Sequence, residues 1–262
     1  LDRSIPFFLE QNALLKTAFK NYGKGVLSLR FAADRTVYLD FYTQKTDARK
    51  LEEIPSFPRT LSQRPETDII CAKTLGNIPY IFWTNGSNVQ SMNLLTGNES
   101  TLSLDGKAGI AAEIKHSKLQ ALWAVSARGS IYRTNENLDP ASGFPVLTAE
   151  KLLPQPVPFN DSIVVPLSSG PGLLFADPAG NWITSDVMNA KLRTAPVVWK
   201  DRIAALPRSF ESSLYLFDKE GNIVEGSPIE LEGIFAAAPV FFEETKNNPA
   251  AAFLSEDGRF FI

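Results

Sequence analysis

The residue types best suited to metal or nucleophilic chemistry are scarce in this sequence. His116 is the only histidine and Cys71 the only cysteine, so the usual ligand sets for zinc cannot be assembled. A Ser-His-Asp triad would have to use His116, and no serine lies in a G-x-S-x-G nucleophile elbow. The setting Lys115-His116-Ser117-Lys118 favours a solvated turn for His116, and the apolar run around Cys71 favours a small buried side chain.

Paired carboxylates are the next candidates for chemistry. Glycoside hydrolysis requires two acids that converge across a cleft, and the nearest candidates are Asp68 and Glu113. Each is predicted to start a strand, at Thr67-Asp68-Ile69 and Ala112-Glu113-Ile114. We favour the interpretation that both are solvated strand ends, and a catalytic pair is the alternative.

Two acidic turns resemble fragments of a calcium loop. Calcium is a hard cation that needs several oxygen ligands at once, and Asp218-Lys219-Glu220 and Glu256-Asp257 lack the third and fourth acidic ligands. A plain turn in which Asp218 accepts hydrogen bonds from its own backbone is the simpler interpretation. We therefore expect no metal site.

A repeat of about 43 residues organises the elements that would position these groups. Gly86, Gly129 and Gly172 are each 43 residues apart, and Gly258 lies 86 residues beyond Gly172. At the last three, an apolar run precedes the glycine and another follows it. This predicts hairpins in which glycine supplies a positive-φ turn position.

Other markers keep nearly the same period. Tyr132 to Pro145 spans 13 positions, and so does Tyr215 to Pro228 at a distance of 83 residues. A unit in the low forties is typical of the four-stranded blade of a β-propeller. We predict an all-β fold, a β-propeller of about six four-stranded blades. The remaining markers are Pro156-Val157, Pro196-Val197 and Pro239-Val240, together with Asp177–Asn181 and Asp218–Asn222.

The two ends of the chain are predicted to differ from the repeats. Residues 1–24 form a predicted amphipathic N-terminal helix, with a strand at Ile5–Leu9 as the alternative, and residues 25–262 form the propeller domain. Val26–Phe31 and Thr36–Thr43 read as a hairpin. The last unit lacks a fourth strand, so we expect the N-terminal segment or this hairpin to dock beside Arg259–Ile262.

Composition excludes several classes of protein. A hydrophobic content of 44%, a charged content of 21% and a net charge of −3 are ordinary for a globular protein and offer no basic surface for nucleic acid. No apolar run approaches the roughly 18 residues of a membrane span. The chain begins at Leu1 without a signal-peptide pattern, so we expect a mature form or an excised piece.

Short phrases in the repeats resemble known propeller families. Met92–Asn98 (MNLLTGN) resembles quinoprotein-like, or PQQ-like, repeats, and Gly143-Phe144-Pro145 and Gly226-Ser227-Pro228 resemble FG-GAP-type repeats. The resemblance implies a propeller in an extracytoplasmic or periplasmic, cell-envelope setting, and it transfers no catalytic residue. Quinoproteins hold their cofactor on an aromatic floor beside calcium and two adjacent cysteines. A second cysteine is absent here, so we expect no cofactor.

The four tryptophans have a simpler interpretation than a cofactor floor. Trp83, Trp123, Trp182 and Trp199 occupy strand positions where other repeats carry apolar residues, which favours packing between blades. Two functional hypotheses follow. The favoured one is a non-enzymatic scaffold that binds a protein or cell-envelope partner. The alternative is a glycan-binding or glycan-cleaving propeller that uses Asp68 and Glu113 as channel-facing acids.

Overall fold

The computed structural model describes residues 25–31, 36–43, 59–66, 69–192, 194–209, 211–235, 237–245 and 248–262. Within these ranges, strands form six antiparallel sheets in chain order, and the fold is a β-propeller as predicted. The predicted helix over residues 1–24 lies outside the described residues.

Each sheet is a meander in which consecutive strands pair. Sheets 2 to 5 have four strands, and sheets 1 and 6 have three among the described residues. Sheet 1 contains β1 (Gly25–Phe31), β2 (Thr36–Thr43) and β3 (Arg59–Thr60); sheet 2 contains β4 (Ile70–Lys73), β5 (Pro79–Asn85), β6 (Asn88–Asn93) and β7 (Glu99–Ser103); sheet 3 contains β8 (Ala108–Lys115), β9 (Lys118–Ser126), β10 (Ser130–Thr134) and β11 (Val146–Leu147); sheet 4 contains β12 (Val157–Phe159), β13 (Ser162–Pro166), β14 (Leu173–Ala176) and β15 (Trp182–Ser185); sheet 5 contains β16 (Val197–Trp199), β17 (Arg202–Ala205), β18 (Glu211–Phe217) and β19 (Ile229–Glu232); sheet 6 contains β20 (Val240–Thr245), β21 (Asn248–Leu254) and β22 (Phe260–Phe261).

The first strands of successive sheets are neighbours, with β4 against β8, β8 against β12 and β12 against β16. Because the strands alternate in direction, the turns fall on two opposite faces of the propeller. We call the face where first strands begin the upper face; it carries the connections from a fourth strand to the next first strand and the turns between second and third strands. The lower face carries the other turns of each sheet.

The hairpin predicted near the start of the chain is confirmed as β1 and β2, which pair from Gly25↔Thr43 to Phe31↔Val37. Among the described strands, the hairpin forms a sheet with β3, through Thr36↔Thr60 and Val37↔Arg59, and does not pair with β22 of sheet 6. The other candidate for the place beside Arg259–Ile262, the N-terminal segment, lies outside the described residues.

The central strands are apolar on both faces because each face packs against a different neighbour. In β13, Ile163 and Val165 belong to the core between sheets 3 and 4, whereas Val164 belongs to the core between sheets 4 and 5. In β14, Leu174 belongs to the core between sheets 3 and 4, and Leu173 belongs to the core between sheets 4 and 5. Strands that are buried on both sides therefore read as continuous apolar runs, which is the pattern that the sequence shows.

Aromatic and cysteine positions follow this packing only in part. Trp83 and Trp123 are fully buried between sheets, as expected. Trp182 is 37% exposed on the outer strand β15, and Trp199 is half-buried and stacks on Phe241 of sheet 6, with ring centroids 5.4 Å apart. The burial expected for Cys71 is wrong: its side chain is exposed, because its face of β4 is directed away from sheet 3 and Ala72 takes the core position.

The glycine ladder has two physical causes. Gly86, Gly129 and Gly258 have positive φ (58°, 105° and 84°), which confirms the prediction for Gly129 and Gly258. The same prediction is wrong for Gly172, whose φ is not positive. A Cβ on Gly172 would lie 2.3 Å from Asp186 Oδ1 and 2.9 Å from the Ser185 carbonyl oxygen, so close approach of the chain, and not dihedral freedom, requires glycine there.

A side-chain-closed turn joins the third and fourth strands of sheets 2 to 5. In each, the Oδ1 atom of Asn or Asp accepts hydrogen bonds of 2.8–3.1 Å from backbone N–H groups two to four residues later. This confirms the plain turn expected at Asp218 and is the usual reason for Asx residues at turns. The four residues are Asn93, Asn135, Asp177 and Asp218, at intervals of 42, 42 and 41.

The same turns pack against the preceding sheet. Gly180 and Gly221 have positive φ, and a Cβ on Gly221 would lie 3.1 Å from the Phe175 ring of the preceding sheet. The equivalent residue in sheet 3 is Leu138, which keeps a positive φ of 67°. Its side chain is 4% exposed in the core between sheets 2 and 3. Burial of this side chain offsets the cost of a left-handed conformation that leucine rarely adopts.

Acid should weaken the aspartate-closed turns but not the asparagine-closed ones. The Asn181 side chain and backbone N–H groups lower the pKa of Asp177. Partial burial would raise the pKa of Asp218, but hydrogen bonds from Asn222 and Glu220 outweigh it and lower that pKa. A folded pKa below the unfolded value, about 3.9, contributes stability above that pH, and this contribution is lost as the pH falls through the folded pKa.

We therefore expect the double variant Asp177→Asn/Asp218→Asn to melt a few degrees below the native protein at pH 6 and to approach it at pH 3. The natural asparagines at 93 and 135 show that the substitution can keep the turn closed. Thermal melts at both pH values check this. An equal gap at pH 6 and pH 3 would show that the carboxylate charge contributes nothing.

Candidate functional site

The candidate acid Glu113 is built into the interface between sheets 3 and 4. It is the sixth residue of β8, beside a bulge at Glu113/Ile114, and shares a face with Ala111 of the core that meets sheet 4. The expectation that Glu113 starts its strand is wrong, because β8 already begins at Ala108. The expected solvated end is also wrong, since Glu113 is only 7% exposed.

The Glu113 carboxylate is already occupied by two donors. Its Oε2 atom accepts a hydrogen bond from Trp123 Nε1 at 3.3 Å and from Arg133 Nη2 at 3.2 Å. The Arg133 guanidinium also lies over the Trp123 ring, 5.6 Å from its centroid. Removal of one partner from such a pair would leave a buried group unpaired, so the two side chains depend on each other. Asp68, the other candidate acid, lies outside the described residues.

The remaining sequence candidates lie apart from one another. His116 is exposed at the tip of the β8–β9 hairpin with φ of 50°, as expected for a turn residue. Asp257 of the second acidic turn binds Ser255 and Arg259. Among the described residues, no group of three or more His, Cys, Asp or Glu side chains is placed to hold a metal ion.

An open groove on the upper face is the feature best suited to binding. It has a volume of about 410 Å³ and lies where the first strands of sheets 4, 5 and 6 begin. Small apolar side chains dominate it, so it presents a shallow floor with room for an extended chain. Its lining residues are Gln155, Thr194, Ala195, Pro196, Val197, Ala237 and Ala238.

The local sequence explains why a groove forms there. Pro156, Pro196 and Pro239 are buried one residue before β12, β16 and β20, a position where proline's missing N–H costs no ladder hydrogen bond. In sheet 3, the first strand carries Gly109, where a Cβ would lie 2.1 Å from the Pro154 carbonyl oxygen. The chain that enters sheet 4 therefore lies directly against β8.

Charged side chains lie on the same face as this floor. Arg208 and Glu256 form an ion pair of 2.5 Å between sheets 5 and 6. Lys151 and Lys191, on the connections that lead into β12 and β16, are exposed, and Lys191 Nζ donates to the Ser168 carbonyl oxygen at 3.2 Å. A second cavity of about 560 Å³ lies farther round, beside Arg64, Glu66 and Asn85.

Sequence reasoning found the Pro-Val markers but read them only as strand starts. Pro196-Val197 lines the groove, together with residues that directly precede the other two markers. Only the sheet order, which places β12 beside β16, brings these positions together. The available signal was the small residue before two of the three markers, at Ala195 and Ala238. Lys151 and Lys191 belong to no motif in the sequence, so only the structure shows that they share a face.

Comparisons with known proteins support the fold. No protein-family model matches the sequence, and no curated protein matches it. The chain is similar to BBS1N in its complex with ARL6DN, with a TM-score of 0.60, 13% identity, and coverage of 92% of this chain and 76% of that one. It is also similar to the dihydro-heme d1 dehydrogenase NirN in complex with DHE, with a TM-score of 0.57 and 10% identity.

The match to NirN covers 87% of this chain and 49% of that one, so the chain spans about half of its length. At these identities the likeness shows the fold alone, and the resemblance to propeller repeat proteins is confirmed at that level. Within the described residues, no helix has the length and apolarity needed to cross a membrane.

Removal of the Glu113 carboxylate should destabilise the protein. We expect Glu113→Ala to lower the free energy of unfolding by about 3 kcal/mol, because it leaves Trp123 Nε1 and the partly buried Arg133 guanidinium without their acceptor. Glu113→Gln, which keeps an acceptor oxygen, should lose less. Urea denaturation of both variants measures the difference.

The matched control is the double variant Glu113→Leu/Arg133→Met, which replaces the pair by apolar side chains and should be more stable than Glu113→Ala. If Glu113→Ala is as stable as the native protein, the ion pair does not support the interface, and the carboxylate becomes available as a candidate for chemistry.

Proposed function

We propose that this propeller is a non-enzymatic scaffold that binds a segment of another protein in the groove of its upper face. The observation that carries the proposal is the groove itself, a floor of small apolar side chains on a face that also carries charged residues. An apolar centre with a polar rim is the common anatomy of protein interfaces.

The dimensions of the groove suit an extended peptide better than a small molecule. It crosses the first strands of three sheets, and packed sheets lie about 10 Å apart, so its span is about 20 Å. About six residues of extended chain cover that distance. A small-molecule site would enclose its ligand, whereas this groove is open along its length.

The structural neighbour BBS1N was crystallised with a protein partner, ARL6DN, which supports protein binding as a use of this fold. The extracytoplasmic or periplasmic setting implied by the sequence resemblance stays a prediction.

A groove-filling substitution tests the proposal. Peptides are selected against the native protein from a random 12-residue library displayed on phage, and the enriched peptides are synthesised with a fluorescent label. We expect Ala237→Trp to weaken their binding at least tenfold in fluorescence polarisation, because the indole occupies the floor. Ala237 is exposed, so the protein should remain folded.

Ala179→Trp is the matched control, since Ala179 is also exposed but lies in a lower-face turn. It should leave the dissociation constant within about twofold. If no peptide binds saturably, or if Ala237→Trp binds as well as the native protein, the groove is not a binding site.

A further inference from the structure

Three lysines occupy equivalent positions on the upper face of sheets 3, 4 and 5. The main-chain carbonyl oxygen of each lysine accepts a hydrogen bond from a backbone N–H group located just after the second strand of its sheet. The N–H of Ala127 donates to Lys107 at 2.9 Å, that of Ser168 to Lys151 at 2.8 Å and that of Arg208 to Lys191 at 3.4 Å. Sheet 6 makes the same bond from Glu256 to Ile234. The fold thus places the three lysines at one register, at intervals of 44 and 40 residues.

All three lysine side chains are exposed. Among the described residues, the Nζ atoms of Lys107 and Lys151 form no ion pair or hydrogen bond, and Lys191 Nζ binds only a main-chain carbonyl. With sheets about 10 Å apart, the lysines form an arc of three positive charges on a chain whose net charge is −3. We call Lys107, Lys151 and Lys191 the lysine arc.

Among the described residues, no acid on this face forms an ion pair with a lysine of the arc. Asp105 accepts from Ser130 at 2.7 Å, and hydrogen bonds from Ser126 and Ser130 hold its pKa below the ordinary value. Glu150 accepts from Ser169 at 3.1 Å. Glu256 pairs with Arg208.

We propose that the upper face binds an acidic protein segment, whose carboxylates contact the lysine arc while its backbone lies in the groove. This proposal rests on the function proposed above and specifies the chemistry of the partner. Nucleic acid fits less well, because the described residues that line the groove include no aromatic side chain for base stacking. Three ammonium groups also supply few phosphate contacts.

The geometry offers a clean substitution. Each lysine accepts the hydrogen bond that fixes its register through its main-chain carbonyl, so Lys→Gln removes the charge and keeps that bond. Lys191→Gln also removes the bond from Nζ to the Ser168 carbonyl oxygen. The test variant is Lys107→Gln/Lys151→Gln/Lys191→Gln. The matched control removes three lysines from lower-face turns, as Lys115→Gln/Lys118→Gln/Lys219→Gln.

The probes are the labelled 12-residue peptides enriched by phage selection against the native protein. We expect them to carry about three or more Asp or Glu residues and to bind the arc variant about tenfold more weakly, as three exposed charge pairs predict. The control variant should bind as the native protein does, and added salt should weaken native binding more than binding to the arc variant.

Each other outcome overturns the proposal in a distinguishable way. If peptides bind, are lost with Ala237→Trp, but are neutral or basic and bind the arc variant equally, the acidic-partner proposal is wrong while the groove function stands. If no peptide depends on the groove, the proposed function itself is wrong. If a 20-nucleotide single-stranded DNA binds the native protein more tightly than the peptides and loses affinity in the arc variant, the ligand is nucleic acid.

Discussion

The fold depends on the burial of both faces of its central sheets. Val164 and Val165 are adjacent in β13, yet they belong to two different cores. A single sheet of this kind would not be stable alone, because its apolar faces would be exposed to water. The neighbours on either side are therefore part of each sheet's stability, and the ring is the arrangement that satisfies all of them.

Packing between sheets is made specific by the turns that close with asparagine or aspartate. Their conformation positions Leu138, Gly180 and Gly221 toward the preceding sheet. In sheet 3 the turn also receives a direct link, since Tyr80 Oη of sheet 2 donates to Asn137 Oδ1 at 3.1 Å. Local hydrogen bonds and contacts between sheets thus support the same arrangement, which is how a repeated sequence specifies one structure.

The period of the chain could be predicted from sequence because it is carried by residues with strict conformational demands. Glycines such as Gly129 and turn acids such as Asp177 recur for reasons of backbone geometry. Position 172 shows the limit of such reasoning: its glycine serves a close approach to Asp186 that depends on tertiary structure. Cys71 shows the same limit, since an apolar run does not reveal which face of a strand is covered.

The candidate site was less accessible to sequence than the fold. Glu113 was identified as an acid of interest, but its partners Trp123 and Arg133 come from two other strands, and only the register brings them together. The groove and the lysine arc combine residues about 40 positions apart, of which Pro196-Val197 belongs to a repeat marker and the lysines belong to none. These residues share only their location on the upper face, where sheets 3 to 6 place equivalent backbone positions.

Hydrogen–deuterium exchange with and without a saturating acidic peptide from the selection tests the central claim, that the upper face is the binding surface, most directly. We predict slower exchange in residues 150–155 and 194–198 and around 237–240, which line or lead into the groove. The lower-face turns at 177–181 and 218–222 should exchange unchanged. Protection confined to the lower-face turns or the outer strands, with the groove segments unaffected, would contradict the account.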